Sequence, residues 1–272
     1  MSSKAVPLAV ALLLLLSGCG GLFGETTPTP PSENRTNDSA KWLTPGLTSA
    51  GVENAETLAR THRDALRSQS RTTTLTRTYR AENGTAVANT SSVTRAAAGR
   101  GGQLVESEAS GPARSRVAYF SDSTVVWYDS STSELATRTE SDSGEIRYSY
   151  RQGNRERLPT PDGTYTERLY EVFSSTNLTV APETVDSSVH RLEGSTSQLR
   201  LDGEQLSNVT FTARVDYTGV VRSYELRYET DRGGLPVRVV ERFRVSDVGS
   251  TDVERPDWVE TAENRSSRSA SV

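Results

Sequence analysis

The sequence predicts an α+β fold: one long, curved antiparallel β-sheet, an open half-barrel, with two helices packed on its concave apolar face. Three observations carry that expectation. Apolar and polar residues alternate over segments of roughly ten residues in the last third of the chain, the pattern of strands buried on one side. Breaks containing Gly, Asn, Ser and Asp separate such segments at short intervals, as the hairpins of a meander require. Only two stretches, 52–68 and 164–174, place apolar residues at spacings of three and four. Composition agrees: 33% of the 272 residues are apolar and the formal net charge is −4. With Ser and Thr at 68 positions, the chain is too polar for a polytopic membrane protein or a large α/β enzyme core. The absence of a basic field argues against a nucleic-acid partner.

The elements follow in order. Met1–Lys4 carry one cation, and Ala5–Leu16 is an apolar run with five consecutive leucines. Twelve apolar positions fall short of the roughly 20 needed to span a bilayer, so residues 1–18 read as a secretory signal peptide. The run ends in Leu16-Ser17-Gly18-Cys19, which resembles the lipobox of prokaryotic lipoproteins, where the Cys is lipidated and becomes the new N-terminus. Cys19 is the single cysteine of the chain, which excludes intrachain disulfides and cysteine-rich metal sites. Residues 19–47, with Thr27-Pro28-Thr29-Pro30-Pro31, read as a Pro/Thr-rich tether that cannot bury a core. A single half-barrel domain is expected over 48–261, and residues 262–272 as a disordered tail.

Within the domain, Val52, Ala55, Leu58, Ala59, His62 and Leu66 form one helical stripe, with Thr48 or Ser49 as its N-cap. Strands are expected over 71–80, 86–98, 103–110, 114–122, 124–130, 133–140 and 145–152. The second helix, 164–174, places Thr166, Leu169, Tyr170 and Phe173 on one side. Strands near 209–217, 223–229 and 237–245 close the chain. Trp258, two residues after Pro256, is expected to pack on the domain.

Two biases bear on habitat. Arg outnumbers Lys 29 to 2, too consistently to serve one site. Seven of nine Asn stand in N-x-[ST] sequons: Asn34, Asn37, Asn83, Asn89, Asn177, Asn208 and Asn264. These are glycosylation candidates, although Asn and Thr also favour turns. The order of lipobox, linker, helix with His62-Arg63-Asp64-Ala65-Leu66, meander, Leu192-Glu193-Gly194, alternating strands and Pro256-Asp257-Trp258 resembles an uncharacterised family of haloarchaeal secreted lipoproteins. The resemblance implies a fold similar to bacterial periplasmic lipoprotein carriers and mycobacterial lipid-handling lipoproteins, which hold acyl chains between a half-barrel and its helices. No residue-level activity comes with it.

Candidate chemistry is thin. His62 and His190 are the two histidines. His62 reads as a hydrogen-bonded residue of a helix face and His190 as a sheet-surface or cross-strand residue, neither at the spacing of an H-E-x-x-H metal site. There is no G-x-S-x-G elbow and no phosphate-binding glycine loop, so neither an enzyme nor a cofactor is expected. Glu241 interrupts an apolar strand face; it reads as a ligand-headgroup contact or, in its place, as a bulge, a cavity-mouth position or a partner of a neighbouring Arg. Trp127, Tyr128, Tyr148 and Tyr150 suggest either a stacking platform or cross-strand pairs. Val209, Phe211, Ala213, Val215 and Tyr217 share one strand face, and Tyr224, Leu226 and Tyr228 the next. That wall exceeds what two short helices can cover. Val209, Phe211, Val215, Tyr217, Tyr224, Leu226 and Tyr228 are therefore the expected contacts of a lipid or other hydrophobic ligand. Two functional readings follow. One is a non-enzymatic binding module held by lipidated Cys19 on the extracytoplasmic face of the cell membrane. The other is a structural or interaction protein of the cell surface, with a filled core and no ligand.

Overall fold

The computed structural model describes residues 40–99, 101–118, 123–153 and 162–269. Cys19, Asn34, Asn37, the signal segment and the tether up to residue 39 lie outside these residues. Among the described residues 50% are in strands and 19% in helices. The protein is mostly β, which corrects the α+β class expected from the sequence. The reason is size: the longest helix has 13 residues, and the main sheet has eleven strands.

Three short strands, β1 (Trp42–Thr44), β2 (Leu47–Thr48) and β3 (Gly51–Val52), form a small sheet of their own. They lead into α1 (Ala55–Arg67). Its N-cap is Asn54, whose Oδ1 accepts from the Thr57 amide at 2.8 Å. Thr48 and Ser49, the expected caps, are taken up by the small sheet. Gly46 (φ +84) lies under α1, where a Cβ would meet Asn54 O and Leu58 N at 2.6 Å.

A meander follows: β4 (Arg71–Arg80), β5 (Ala86–Ala96), β6 (Gly102–Ser110), the one-turn helix α2 (Arg114–Val117), β7 (Ser123–Asp129), β8 (Glu134–Glu140) and β9 (Ile146–Gln152). The strand expected over 114–122 is thus replaced at its start by a helical turn. Gly111 (φ +98) redirects the chain, the Arg114 amide bonds Gly111 O, and Val117 drops into the core. Helix α3 (Thr166–Ser175) precedes β10 (Thr179–Val180), β11 (Val189–Leu201), β12 (Glu204–Asp216), β13 (Val221–Asp231) and β14 (Pro236–Ser246). Strand β14 pairs with β4, so the order is β10-β11-β12-β13-β14-β4-β5-β6-β7-β8-β9, antiparallel throughout. The sheet is open, with β9 and β10 at its edges.

The two helices before and after the meander pack on each other and on one face, here the inner face, of β4 and β11–β14. From α1 come Leu58, Ala59, His62 and Leu66, and from α3 Leu169, Val172 and Phe173. A run of rings fills the space beneath: Phe173 on Phe211 (6.1 Å), Phe211 on Tyr224 (5.6 Å) and Tyr224 on Phe243 (5.2 Å). Each such side chain contributes about 1.5–3 kcal/mol on full burial.

A second cluster holds Trp127, Ala136, Val259 and Ala262, with Leu104, Tyr148, Tyr150 and Trp258 against it. It is built by a fourth helix, α4 (Trp258–Ser269). Register places it on the other side of the same sheet. Leu75 pairs across to Ser92 and Ser107, while its neighbour Thr74 pairs to Val93 and Glu106. Trp127 pairs with Leu104, which shares the face of Glu106. The sheet is therefore covered on its inner face over β11–β14 and β4, and on its outer face over β7–β9. Residues 262–269, expected in a loose tail, are the body of α4, because Ala262 is fully buried and Ser266 Oγ accepts from the Tyr150 amide at 3.2 Å.

Candidate functional site: an arginine cleft

Of the seven residues expected to line an apolar cavity, Val209, Phe211, Val215, Tyr224, Leu226 and Tyr228 are no more than 4% exposed and belong to one packed cluster. Tyr217 is 69% exposed, because β12 ends at Asp216 and Tyr217 begins the turn. It leaves the wall on which alternation placed it. Two clefts open elsewhere among the described residues, and none of the seven lines either of them. Ala213→Trp, in the middle of that wall (1% exposed), is accordingly expected to cost about 1–3 kcal/mol or more by overpacking. Urea denaturation measures it; a loss below about 0.5 kcal/mol would reveal spare volume.

The larger cleft, about 940 Å³, lies elsewhere. Arg63 and Arg67 reach it from the last turns of α1, Arg71 and Arg77 from β4, and Arg168 from the first turn of α3. Gln103 and Tyr128, neighbours in register on β6 and β7, line another part of its wall. Gly163 (φ +66) carries the chain over the cleft edge with its Cα against Thr73 and Thr94; a Cβ there would meet Thr73 Oγ1 at 2.6 Å.

Most of these cations are already matched. Glu241, fully buried on β14, accepts a two-pronged bond from Arg168 (Nε and Nη2, both 2.6 Å), one from Arg77 Nε (2.6 Å) and one from Tyr224 Oη (2.7 Å). Burial alone would raise the Glu241 carboxyl, but Arg168 and then Arg77 outweigh it and hold the group at about 2. Arg168 also meets Asp202. Arg67 meets Asp162 at 2.5 Å, and Arg63 meets Asp64 at 2.9 Å.

Arg71 differs. It is 2% exposed and has no carboxylate within 4 Å among the described residues. Its guanidinium donates to three carbonyls: Leu66 O (2.8 Å), Gln69 O (3.4 Å) and Asp162 O (2.8 Å). Its Nε is buried without a partner. Burial depresses its affinity for the proton, opposed by the charge of Asp162. Part of its role is structural, since Leu66 O belongs to the open C-terminal end of α1, where a cation is favourable. The cleft also receives the N-terminal end of α3, whose cap Tyr165 (φ +52) makes no side-chain capping bond. Glu167 in the first turn supplies one negative charge there.

A family described as "Family of unknown function (DUF7537)" matches residues 4–262. The chain belongs to that family. No curated protein matches the chain. Two solved structures of PNGF-II, in space groups P21 and C2, are similar over part of their length. The first shares 12% identity over 69% of this chain and 30% of the other, with a TM-score of 0.22. The second shares 11% over 71% and 29%, with a TM-score of 0.18. This chain spans under a third of their length, and a likeness at that level says nothing of activity.

The remaining sequence candidates of this DUF7537 member fall as follows. His62 is fully buried: Nδ1 accepts from the Val221 amide (3.0 Å), so Nε2 carries the hydrogen and donates to Thr164 O (3.0 Å). It joins α1 to β13 and to the loop before α3, and desolvation lowers its pKa from 6.5 to about 4. His190, expected at a sheet surface or in a cross-strand pair, is buried, with Nδ1 on Thr184 O (2.9 Å) in the 3-10 turn 182–184. Trp127, Tyr148 and Tyr150 are the seat of α4. Asn83, Asn89, Asn177, Asn208 and Asn264 are all exposed, although the Asn208 amide donates to Glu229 at 2.7 Å. Among the described residues, no three His, Cys, Asp or Glu side chains converge as a metal site would require, and no helix is long and apolar enough to cross a membrane. Sequence reading missed Arg71, Arg77 and Arg168. The signal was present for the first two, which share the inward parity of Leu75 and Tyr79 on β4.

Proposed function

We propose that this protein is an extracytoplasmic lipoprotein of a salt-loving archaeon, tethered to the membrane through lipidated Cys19. Its domain is a non-enzymatic binding module that takes its ligand by an anionic group in the arginine cleft. The carrying observation is Arg71, a buried cation on the cleft wall with an unpartnered Nε and no carboxylate of its own. The lipobox-like Leu16-Ser17-Gly18-Cys19 and the Arg-over-Lys bias support the setting. An acyl chain finds no room among the six packed wall residues, so a lipid ligand would enter by its headgroup. The run of stacked rings under α1 and α3 favours a second reading, a surface interaction protein with a filled core and no ligand.

Inorganic phosphate is the first probe, with chloride at equal ionic strength as the control. Binding to the folded state raises Tm by mass action, by about 2.7 kcal/mol of stability at a hundredfold excess over Kd. Arg63→Gln, near the cleft rim and one-third exposed, is expected to weaken that gain, and Arg71→Lys to abolish it. Equal Tm values in phosphate and chloride would leave the filled-core reading standing.

A further inference from the structure

Trp42 and Tyr217 are 63% and 69% exposed, and Val189 is 37% exposed. Scattered apolar residues on a surface need no explanation. These three are gathered at one corner. The Tyr217 amide donates to Ser188 O at 3.1 Å, and Val189 is the register partner of Asp216. Lys41 bonds Asp186 at 2.8 Å. On the other flank of Trp42, Thr44 Oγ1 lies 3.0 Å from where a Gly219 Cβ would stand. The strand of Trp42 is thus pinned on both sides to the corner that carries Tyr217 and Val189.

Both aromatic positions are rigidly held. Asp216, 4% exposed, builds the turn beneath Tyr217: its Oδ1 accepts from the Thr218 amide (2.9 Å), Thr218 Oγ1 (2.5 Å) and the Val220 amide (3.1 Å). Arg222 closes its other oxygen at 2.5 Å. Lys41 and Ser49 exchange bonds beside Trp42: Lys41 N to Ser49 Oγ at 2.9 Å and Ser49 N to Lys41 O at 2.8 Å. Neither aromatic ring stacks on another among the described residues. Amphipathic rings held outward on a fixed frame suit a surface that is apolar on one side and wet on the other.

We infer that Trp42, Val189 and Tyr217 form a membrane-resting patch, by which the end of the domain where the tether arrives lies against the lipid surface. The inference rests on the tether reading above. The roughly twenty residues between Cys19 and Trp42 reach about 25 Å as a flexible coil and about 70 Å as an extended Pro-rich chain, so the patch stays within range of the bilayer. The corner meets α1 at Thr61, against the Gly219 turn, and shares no lining residue with the arginine cleft.

The chain has three tryptophans, Trp42, Trp127 and Trp258, and Trp42 is the exposed one. The test uses the purified mature chain, checked for lipid by mass spectrometry. It is mixed with phosphatidylcholine–phosphatidylglycerol vesicles carrying a nitroxide near the glycerol end of the acyl chain. Quenching of the wild type, lost in Trp42→Leu and reduced in Tyr217→Ser, is the expected result. A lipidated chain that floats with the vesicles but is not quenched overturns the patch and leaves the anchor intact. A chain without lipid that is still quenched overturns the anchor and leaves the patch intact, while one neither lipidated nor quenched overturns both. Equal quenching in Trp42→Leu overturns the patch, as does a concentration-dependent blue shift without vesicles, which would mean that a second copy covers the corner.

Discussion

Glu241→Ala is expected to remove about 3–5 kcal/mol of stability, the cost of leaving a buried charge partner uncompensated. Two cations depend on this carboxylate. Arg168 is nearly buried and donates twice to it, and Arg77 donates once. Asp202 keeps Arg168 partly matched, but Arg77 has no other carboxylate within 4 Å among the described residues. The companion variant separates charge from shape: Glu241→Leu combined with Arg77→Met, Arg168→Met and Tyr224→Phe, which also removes the hydroxyl that donates to Glu241, is expected to recover most of the loss, since a well-packed apolar replacement removes the desolvation cost. Urea denaturation at neutral pH measures both. A loss below about 1 kcal/mol for Glu241→Ala would show that water already compensates the two guanidiniums.

Acid is expected to act in two stages. His62 titrates at about 4 in the fold against 6.5 in the unfolded chain, chiefly through desolvation. Between those values the unfolded chain holds the extra proton, so stability falls as the pH falls. The contribution is fully present above about 6.5 and is lost by about 4, in all about 3 kcal/mol. Among its neighbours, Arg71 deepens the effect, and Asp162 and Asp216 oppose it. Glu241 then follows: held at about 2 against 4.5, its contribution is present above about 4.5 and is lost toward pH 2. His62→Leu is expected to be less stable at neutral pH, because Thr164 O and the Val221 amide lose their partner. Its stability should also be flatter between pH 6.5 and 4.5. An unchanged slope in that window would mean that His62 is not the titrating group.

The strands were legible where one face is apolar and the partner sequence is near. Val209–Val215 and Tyr224–Tyr228 alternate cleanly and fold as strands, and Arg71–Arg80, read from the turn breaks that separate it from its neighbours, is a strand as well. Helix α1 was legible from Leu58, Ala59, His62 and Leu66. Helix α4 was not, because its buried anchors are a valine and an alanine, Val259 and Ala262, set among Glu, Asn, Arg and Ser. Their weight becomes clear only with Trp127 in place, and Trp127 is distant in sequence. The cleft was illegible for a related reason. Glu241 showed as an interruption, but Arg77 and Arg168 lie 164 and 73 positions from it, and no local pattern joins residues so far apart. Tyr217 misled because alternation continues through a residue after the strand itself has stopped.

The switch of covered face sets where cooperativity is weakest. Two hydrophobic nuclei stand on opposite sides of one sheet, and the inner face of β5 and β6 between them is thinly apolar: Thr90, Ser92, Thr94 and Ser107 stand beside the small Ala88, Ala96 and Ala109 and a single larger Val105. What couples the nuclei is chiefly the backbone ladder of β5 and β6, with polar bonds such as Ser107 Oγ to Ser92 Oγ at 3.1 Å beside it. Folding of one half lends the other a template edge and little packing energy. The β7–β9 layer with α4 is thus a separable unit, able to loosen while the nucleus behind the arginine cleft stays closed.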